Sequence, residues 1–92
     1  MLILRIRHAE TALADGRLDE AYQLVQADER LRTHRRGQDI VTRLVKAFHK
    51  RGQEHLAAAR YPAALTDCEK AQQLAGDTPE LLSLRSDAMD KV

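Results

Sequence analysis

Apolar residues recur along the chain at intervals of three and four, the spacing of one face of an α-helix. Glycine and proline residues interrupt these runs and divide the chain into five segments. The pattern predicts helices over about residues 2–14, 18–33, 40–59, 62–75 and 79–89. No stretch alternates between apolar and polar residues as a half-buried strand does. The chain is therefore predicted to be all-α.

Single residues mark the predicted helix ends. Gly16, Gly37 and Gly76 are placed where helices stop, because glycine accepts the left-handed conformation common just past a helix end. Asp39 is predicted to cap the third helix. Pro62 and Pro79 suit first helical turns, where a missing N–H costs nothing. Asp77 or Thr78 is the expected cap of the last helix.

Two residues on the predicted apolar faces break the pattern. Asp28 interrupts the apolar stripe of the second helix, so it is expected at the edge of that stripe. Gly52 lies inside the third helix, where glycine costs about 1 kcal/mol against alanine. A glycine is tolerated best there if another helix approaches too closely for a Cβ atom.

Composition changes this picture in only a few respects. The chain has 92 residues, 3% aromatic residues and one cysteine, Cys68, which lies on a predicted buried stripe and is interpreted as a small core residue. The apolar start is broken by Arg5 and Arg7, and no run reaches the roughly 20 apolar residues of a membrane span. We expect a soluble, cytoplasmic protein with no membrane association and, at this length, a single domain over residues 1–92.

The chain also contains an internal repeat. GRLDEAY at 16–22 and ARYPAAL at 59–65 align at an offset of 43 residues, as do the helices around them. The second copy places large, small and aromatic residues in a fixed order along its two helices: Phe48, Gly52, His55, Tyr61, Ala64, Cys68 and Ala71. In these positions it resembles the tetratricopeptide repeat (TPR) family, whose units are helix-turn-helix hairpins. The first copy departs more, with Arg5, Ala12 and Asp28 at three of the pattern's positions.

This resemblance implies a right-handed α-solenoid fragment. It would contain about two TPR-like hairpins, over residues 2–35 and 40–76, followed by a C-terminal capping helix over 79–91. The alternative is a generic five-helix bundle that matches the repeat by chance. In the TPR family, the first helices of the hairpins line a groove that binds extended peptides. Carried over to this chain, the groove positions of the second copy are Lys46, His49, Lys50 and Gln53, with Arg43 one turn earlier.

Charge supports a binding role for this helix. Residues 30–51 contain eight basic side chains and one acidic, whereas both flanks are acidic. No nucleophile lies beside a base, the four histidines do not have metal-ligand spacing, and the glycines form no phosphate loop. We therefore expect neither catalysis nor a metal or cofactor.

The expected function is recognition of an acidic peptide or partner surface through Arg43, Lys46, His49, Lys50 and Gln53. Three alternatives stay open. The basic block could be solvated surface only, or it could bind nucleic acid, although it lacks an aromatic stacking platform. The chain could also self-associate, or serve as a scaffold segment of a larger protein, through the apolar side of its last helix.

Overall fold

A computed structural model describes residues 1–91, and this part of the chain forms six α-helices and no strand. The helices are α1 (Leu2–Ala14), α2 (Leu18–Ala27), α3 (Glu29–Thr33), α4 (Arg35–Ala57), α5 (Tyr61–Ala75) and α6 (Pro79–Lys91). The all-α prediction is confirmed. None of these helices combines the length and the apolarity that a membrane span needs.

The residues that begin and end most helices act as predicted. Gly16 and Gly76 have φ angles of 77° and 76°, the left-handed region that glycine tolerates best. Pro62 lies in the first turn of α5. The hydroxyl of Thr78 accepts a hydrogen bond of 3.3 Å from the Leu81 N–H and so caps α6.

The second predicted helix is divided in two at Asp28. Its backbone is extended there, and its side chain accepts a bond of 3.0 Å from the Arg30 N–H, so it caps α3. Asp28 is buried, not at the edge of the apolar stripe, because Arg5 and Arg30 both bind its carboxylate. The hydrogen bonds from Arg30 are the main reason that the pKa of Asp28 is below its ordinary value.

The third predicted helix, α4, begins at Arg35 rather than near residue 40 and passes through Gly37. Gly37 is therefore not a stop signal, and Asp39 is not a cap. The glycine allows close approach instead, since a Cβ atom there would lie 1.5 Å from the Leu31 carbonyl oxygen of α3. At its other end α4 stops at Ala57. Ala59, predicted to end this helix, is exposed and has a φ of 62° in the turn before α5.

The chain divides into two compact units, Met1–Leu44 and the remainder from Val45 onward. In the first unit α1 packs on α2. Small and branched side chains form its core, and the fully buried ones are Ile6, Ala9, Ala21, Val25, Leu31, Ile40 and Leu44.

In the second unit α5 packs on α6, and the C-terminal half of α4 contacts both. Besides Asp67, its buried residues are Phe48, Gly52, Ala64, Cys68, Ala71, Leu81, Leu84 and Ala88. The expected close approach at Gly52 is confirmed, because an added Cβ would lie 2.8 Å from Cδ2 of Leu84 and 3.6 Å from the Ala64 carbonyl oxygen.

Candidate functional site

The five residues predicted to bind a partner all lie on α4, but they belong to different units. Arg43 is in the first unit, where its guanidinium is 3.5 Å from the carboxylate of Asp39 one turn earlier. The other four are in the second unit: Lys46, His49, Lys50 and Gln53. Their spacing of three, one and three residues places them on one side of α4.

Two adjoining clefts separate this side of α4 from α6. The main cleft has a volume of about 400 Å³ and is lined by His49, Gln53, Leu56, Pro79, Glu80, Ser83, Leu84 and Asp87. The smaller cleft has a volume of about 300 Å³ and is lined by Val45, Lys46, His49, Thr78, Glu80 and Leu81. His49 and Glu80 line both clefts, and Lys50 lines neither.

The order of the lining residues shows that α4 and α6 run in the same direction. Lys46 faces the start of α6, near Thr78 and Glu80. Gln53, two turns further along α4, shares the main cleft with Asp87, two turns further along α6. The two helices therefore form the long walls of one groove.

Sequence reasoning missed the acidic wall of this groove. Glu80 and Asp87 project from α6 on one face, with Ser83 between them. Neither carboxylate makes an ion pair among residues 1–91. A spacing of three and four residues from Glu80 to Ser83 to Asp87 was the signal that could have revealed them. The groove is thus basic and polar on one side and acidic on the other.

Most cations of the basic block are occupied by contacts inside the protein. Arg30 binds Asp28, Arg36 binds Glu10 at 2.7 Å, and Arg51 binds Asp67. Arg32 donates to the carbonyl oxygens of Val25 and Gln26 at the end of α2. Arg43 is next to Asp39, as described above. Arg35, Lys46 and Lys50 are exposed and have no carboxylate within 4.0 Å in the part of the chain that the structure describes.

A buried ion pair lies behind the groove, on the other side of α4. Asp67 of α5 is 2% exposed, and Arg51 donates to its two carboxylate oxygens from Nε at 2.9 Å and from Nη2 at 2.6 Å. The Arg51 guanidinium is also 5.3 Å from the centre of the Phe48 ring. This pair went unnoticed in the sequence, although Asp67 lies three residues after Ala64 and four before Ala71 on the buried stripe of α5.

His55 extends this polar cluster to the turn after α4. Its Nδ1 accepts a hydrogen bond of 2.9 Å from Arg60 Nε, which places the ring proton on Nε2. Nε2 is 3.5 Å from the Asp67 carboxylate. The cluster joins α4, α5 and the turn between them.

Cys68 is fully buried, as its place on the apolar stripe predicts. Its Sγ donates to the Leu81 carbonyl oxygen at 3.2 Å and thereby ties α5 to α6. Burial raises the pKa of this thiol, so little reactive thiolate forms at neutral pH.

No group of three or more histidine, cysteine or acidic side chains within residues 1–91 could hold a metal ion. Comparison with protein-family models, curated proteins and solved structures found no match.

Proposed function

We propose that the chain is a non-enzymatic protein-recognition module. In this proposal an extended segment of a partner protein lies along α4 in the second unit, and an acidic side chain of the segment binds Lys46 and Lys50. His49 and Gln53 add hydrogen bonds from the same side of the helix. Arg43 stays a predicted further contact, since it belongs to the first unit.

The observation that carries this proposal is the exposure of two lysines that have no carboxylate partner in the described chain. Lys46 and Lys50 are one helical turn apart, exposed, and free of carboxylate neighbours in the described chain, whereas five of the eight cations of the basic block are held by internal contacts. Two adjacent cations beside an apolar-floored groove can take up one carboxylate without first breaking an ion pair.

The second unit also supports a TPR-like reading. Phe48, Gly52, Ala64, Cys68 and Ala71, five residues of the resemblance, are all buried. Gly52 is the point of close contact with Ala64 and Leu84, and the first and third helices of the unit run in the same direction. Stacked helical hairpins have this arrangement, and their parallel first helices line the groove that binds peptides. We therefore propose that α4 to α6 form one TPR-like hairpin with a capping helix, and that α1 and α2 belong to a more divergent one.

The groove is short, so the expected affinity is low. The residues that line the two clefts span only about three turns of each helix, so the groove offers far less contact area than a stable protein complex buries. Partner binding at this site alone is therefore expected to be weak. Loss of one charge should change the dissociation constant only a few-fold.

The test uses a capped nonapeptide of glycine, serine and threonine that contains two adjacent glutamates. Fluorescence anisotropy would measure its dissociation constant for the wild type and for Lys46→Glu/Lys50→Glu. Losing two exposed ion pairs of up to about 1 kcal/mol each should weaken binding by up to about thirtyfold.

The matched control is Arg35→Glu/Arg85→Glu, which changes net charge by the same amount on exposed positions outside the groove. It should bind the peptide as the wild type does. If both double variants lose binding equally, general charge attraction explains the result and the groove assignment is wrong. If Lys46→Glu/Lys50→Glu binds normally, the proposal fails outright. Circular dichroism would verify that both variants stay helical.

A further inference from the structure

The groove contains a feature that an acidic ligand does not explain. Its main cleft is lined on the α6 side by Glu80 and Asp87, whereas the α4 side contributes His49, Gln53 and Leu56 and no lysine or arginine. A uniformly acidic segment would place its carboxylates against this wall and be repelled. We infer that the main cleft binds a basic side chain, an inference that rests on the proposed function. The partner segment would then carry an acidic and a basic residue at a defined spacing.

The shape and lining of the cleft suit an arginine or lysine. Its volume of about 400 Å³ exceeds that of one such side chain, and Leu56 and Leu84 offer apolar surface to the methylene groups. The cationic head can then reach Asp87, whose carboxylate is not paired within the described chain, while Glu80 adds to the negative charge of the same wall. Ser83 lies between the two carboxylates and adds a hydroxyl acceptor.

The spacing between the two charges follows from helix geometry. Lys46 lies level with the start of α6, near Glu80, whereas Asp87 is seven residues further along α6. Seven residues of α-helix span about 10 Å at 1.5 Å per residue. An extended peptide covers that distance in about three residues at roughly 3.3 Å each. The preferred partner segment therefore has its acidic and basic residues three apart, as Glu-x-x-Arg or the reverse order.

The experiment compares capped nonapeptides that share one glycine, serine and threonine host sequence. The set contains Glu-x-x-Arg, Arg-x-x-Glu, adjacent Glu-Arg, Glu-x-x-Glu and Glu-x-x-Gln. We expect one of the two mixed peptides with three-residue spacing to bind the wild type about threefold to fivefold more tightly than Glu-x-x-Gln, the change that one exposed ion pair provides. The adjacent Glu-Arg peptide should show no such gain.

The matched variant is Glu80→Gln/Asp87→Asn, which keeps side-chain size and removes both charges. The ratio of affinities between the mixed peptide and Glu-x-x-Gln should fall to about one in this variant. Asp87→Asn alone serves as a second variant, because Glu80 also stabilises the first turn of α6.

The outcomes separate this inference from the function on which it rests. If Glu-x-x-Glu binds the wild type at least as well as both mixed peptides, or if the variant keeps the preference for arginine, the cleft does not select a basic side chain, although the lysine site can still stand. If no peptide in the set binds, and the peptide with adjacent glutamates also fails to bind, the proposed function itself is refuted.

Discussion

Replacing Gly52 with alanine tests how closely α4 and α6 approach at the base of the groove. On an isolated helix the change would stabilise the fold by about 1 kcal/mol, because alanine is the better helix former. In this protein the new methyl group would lie 2.8 Å from Cδ2 of Leu84, whereas carbon atoms pack best at about 3.5–4.0 Å. The overlap is therefore close to 1 Å.

The energetic cost of that overlap decides whether Gly52→Ala raises or lowers the free energy of unfolding. Ala64 and Asp67 are at 3.6 and 3.7 Å from the added atom, which is ordinary contact, so Leu84 alone must move. Overpacking of this kind costs about 1–3 kcal/mol. Subtracting the gain in helix propensity leaves Gly52→Ala destabilised by about 0–2 kcal/mol in the free energy of unfolding.

Urea denaturation followed by circular dichroism would measure the free energy of unfolding of four proteins: the wild type, Gly52→Ala, Leu84→Ala and the double variant. Once Leu84 is shortened the obstacle is gone, so Gly52→Ala should stabilise the Leu84→Ala background by about 1 kcal/mol. The two substitutions should thus be coupled by about 1–3 kcal/mol. If Gly52→Ala stabilises the wild type as much as it stabilises Leu84→Ala, the close approach of α4 and α6 is refuted.

Three further predictions concern other contacts that stabilise the two units. Gly37→Ala should destabilise the first unit more than Gly52→Ala destabilises the second, because the new Cβ meets the Leu31 backbone oxygen, which cannot rotate away; equal or increased stability in urea denaturation would contradict this. Arg51→Met should cost about 3 kcal/mol by removing the guanidinium from the buried Asp67 carboxylate and leaving only His55 near it, and Arg51→Met/Asp67→Leu should recover most of that loss; equal stability of the two variants would refute the importance of the pair. The pKa of Asp28 is lowered in the folded state, so its carboxylate stabilises the fold at neutral pH and loses this effect as acid protonates it. The difference in the free energy of unfolding between wild type and Asp28→Asn should therefore shrink as the pH falls below about 4, and a difference that is constant from pH 7 to pH 3 would contradict the assignment.

The helices could be predicted from the sequence because their apolar residues recur at helical spacing and their ends have clear chemical signals. Gly16, Pro62, Thr78 and Gly76 each act locally, so no knowledge of the tertiary structure was needed. Asp28 and Gly37 were misread because their roles depend on residues distant in sequence or across a turn. Asp28 is buried because Arg5, on another helix, binds its carboxylate together with the nearby Arg30. Gly37 looked like a stop signal, but the Leu31 carbonyl requires a glycine there.

For the candidate site, too, the sequence predicts local features and not those that depend on packing. The spacing of Lys46, His49, Lys50 and Gln53 on one side of a helix is a local property, and the structure places them together in the second unit. The spacing of Glu80 and Asp87 places both on one face of α6, but that this face lines the groove depends on how α6 packs beside α4, which periodicity does not reveal. The apolar side expected for the last helix is divided, with Leu81 and Leu84 buried while Leu82 and Met89 remain 47% and 55% exposed.

The most direct test of partner binding along α4 is to locate a bound peptide by nuclear magnetic resonance. A Glu-x-x-Arg nonapeptide with a nitroxide label at one end would be added to the ¹⁵N-labelled protein, and the broadening of each backbone amide would be measured. We expect the strongest broadening at residues 45–57 of α4 and 79–88 of α6, and its loss in Lys46→Glu/Lys50→Glu. Broadening centred on residues 30–36, or spread evenly over the chain, would contradict the proposal that this groove is the binding site.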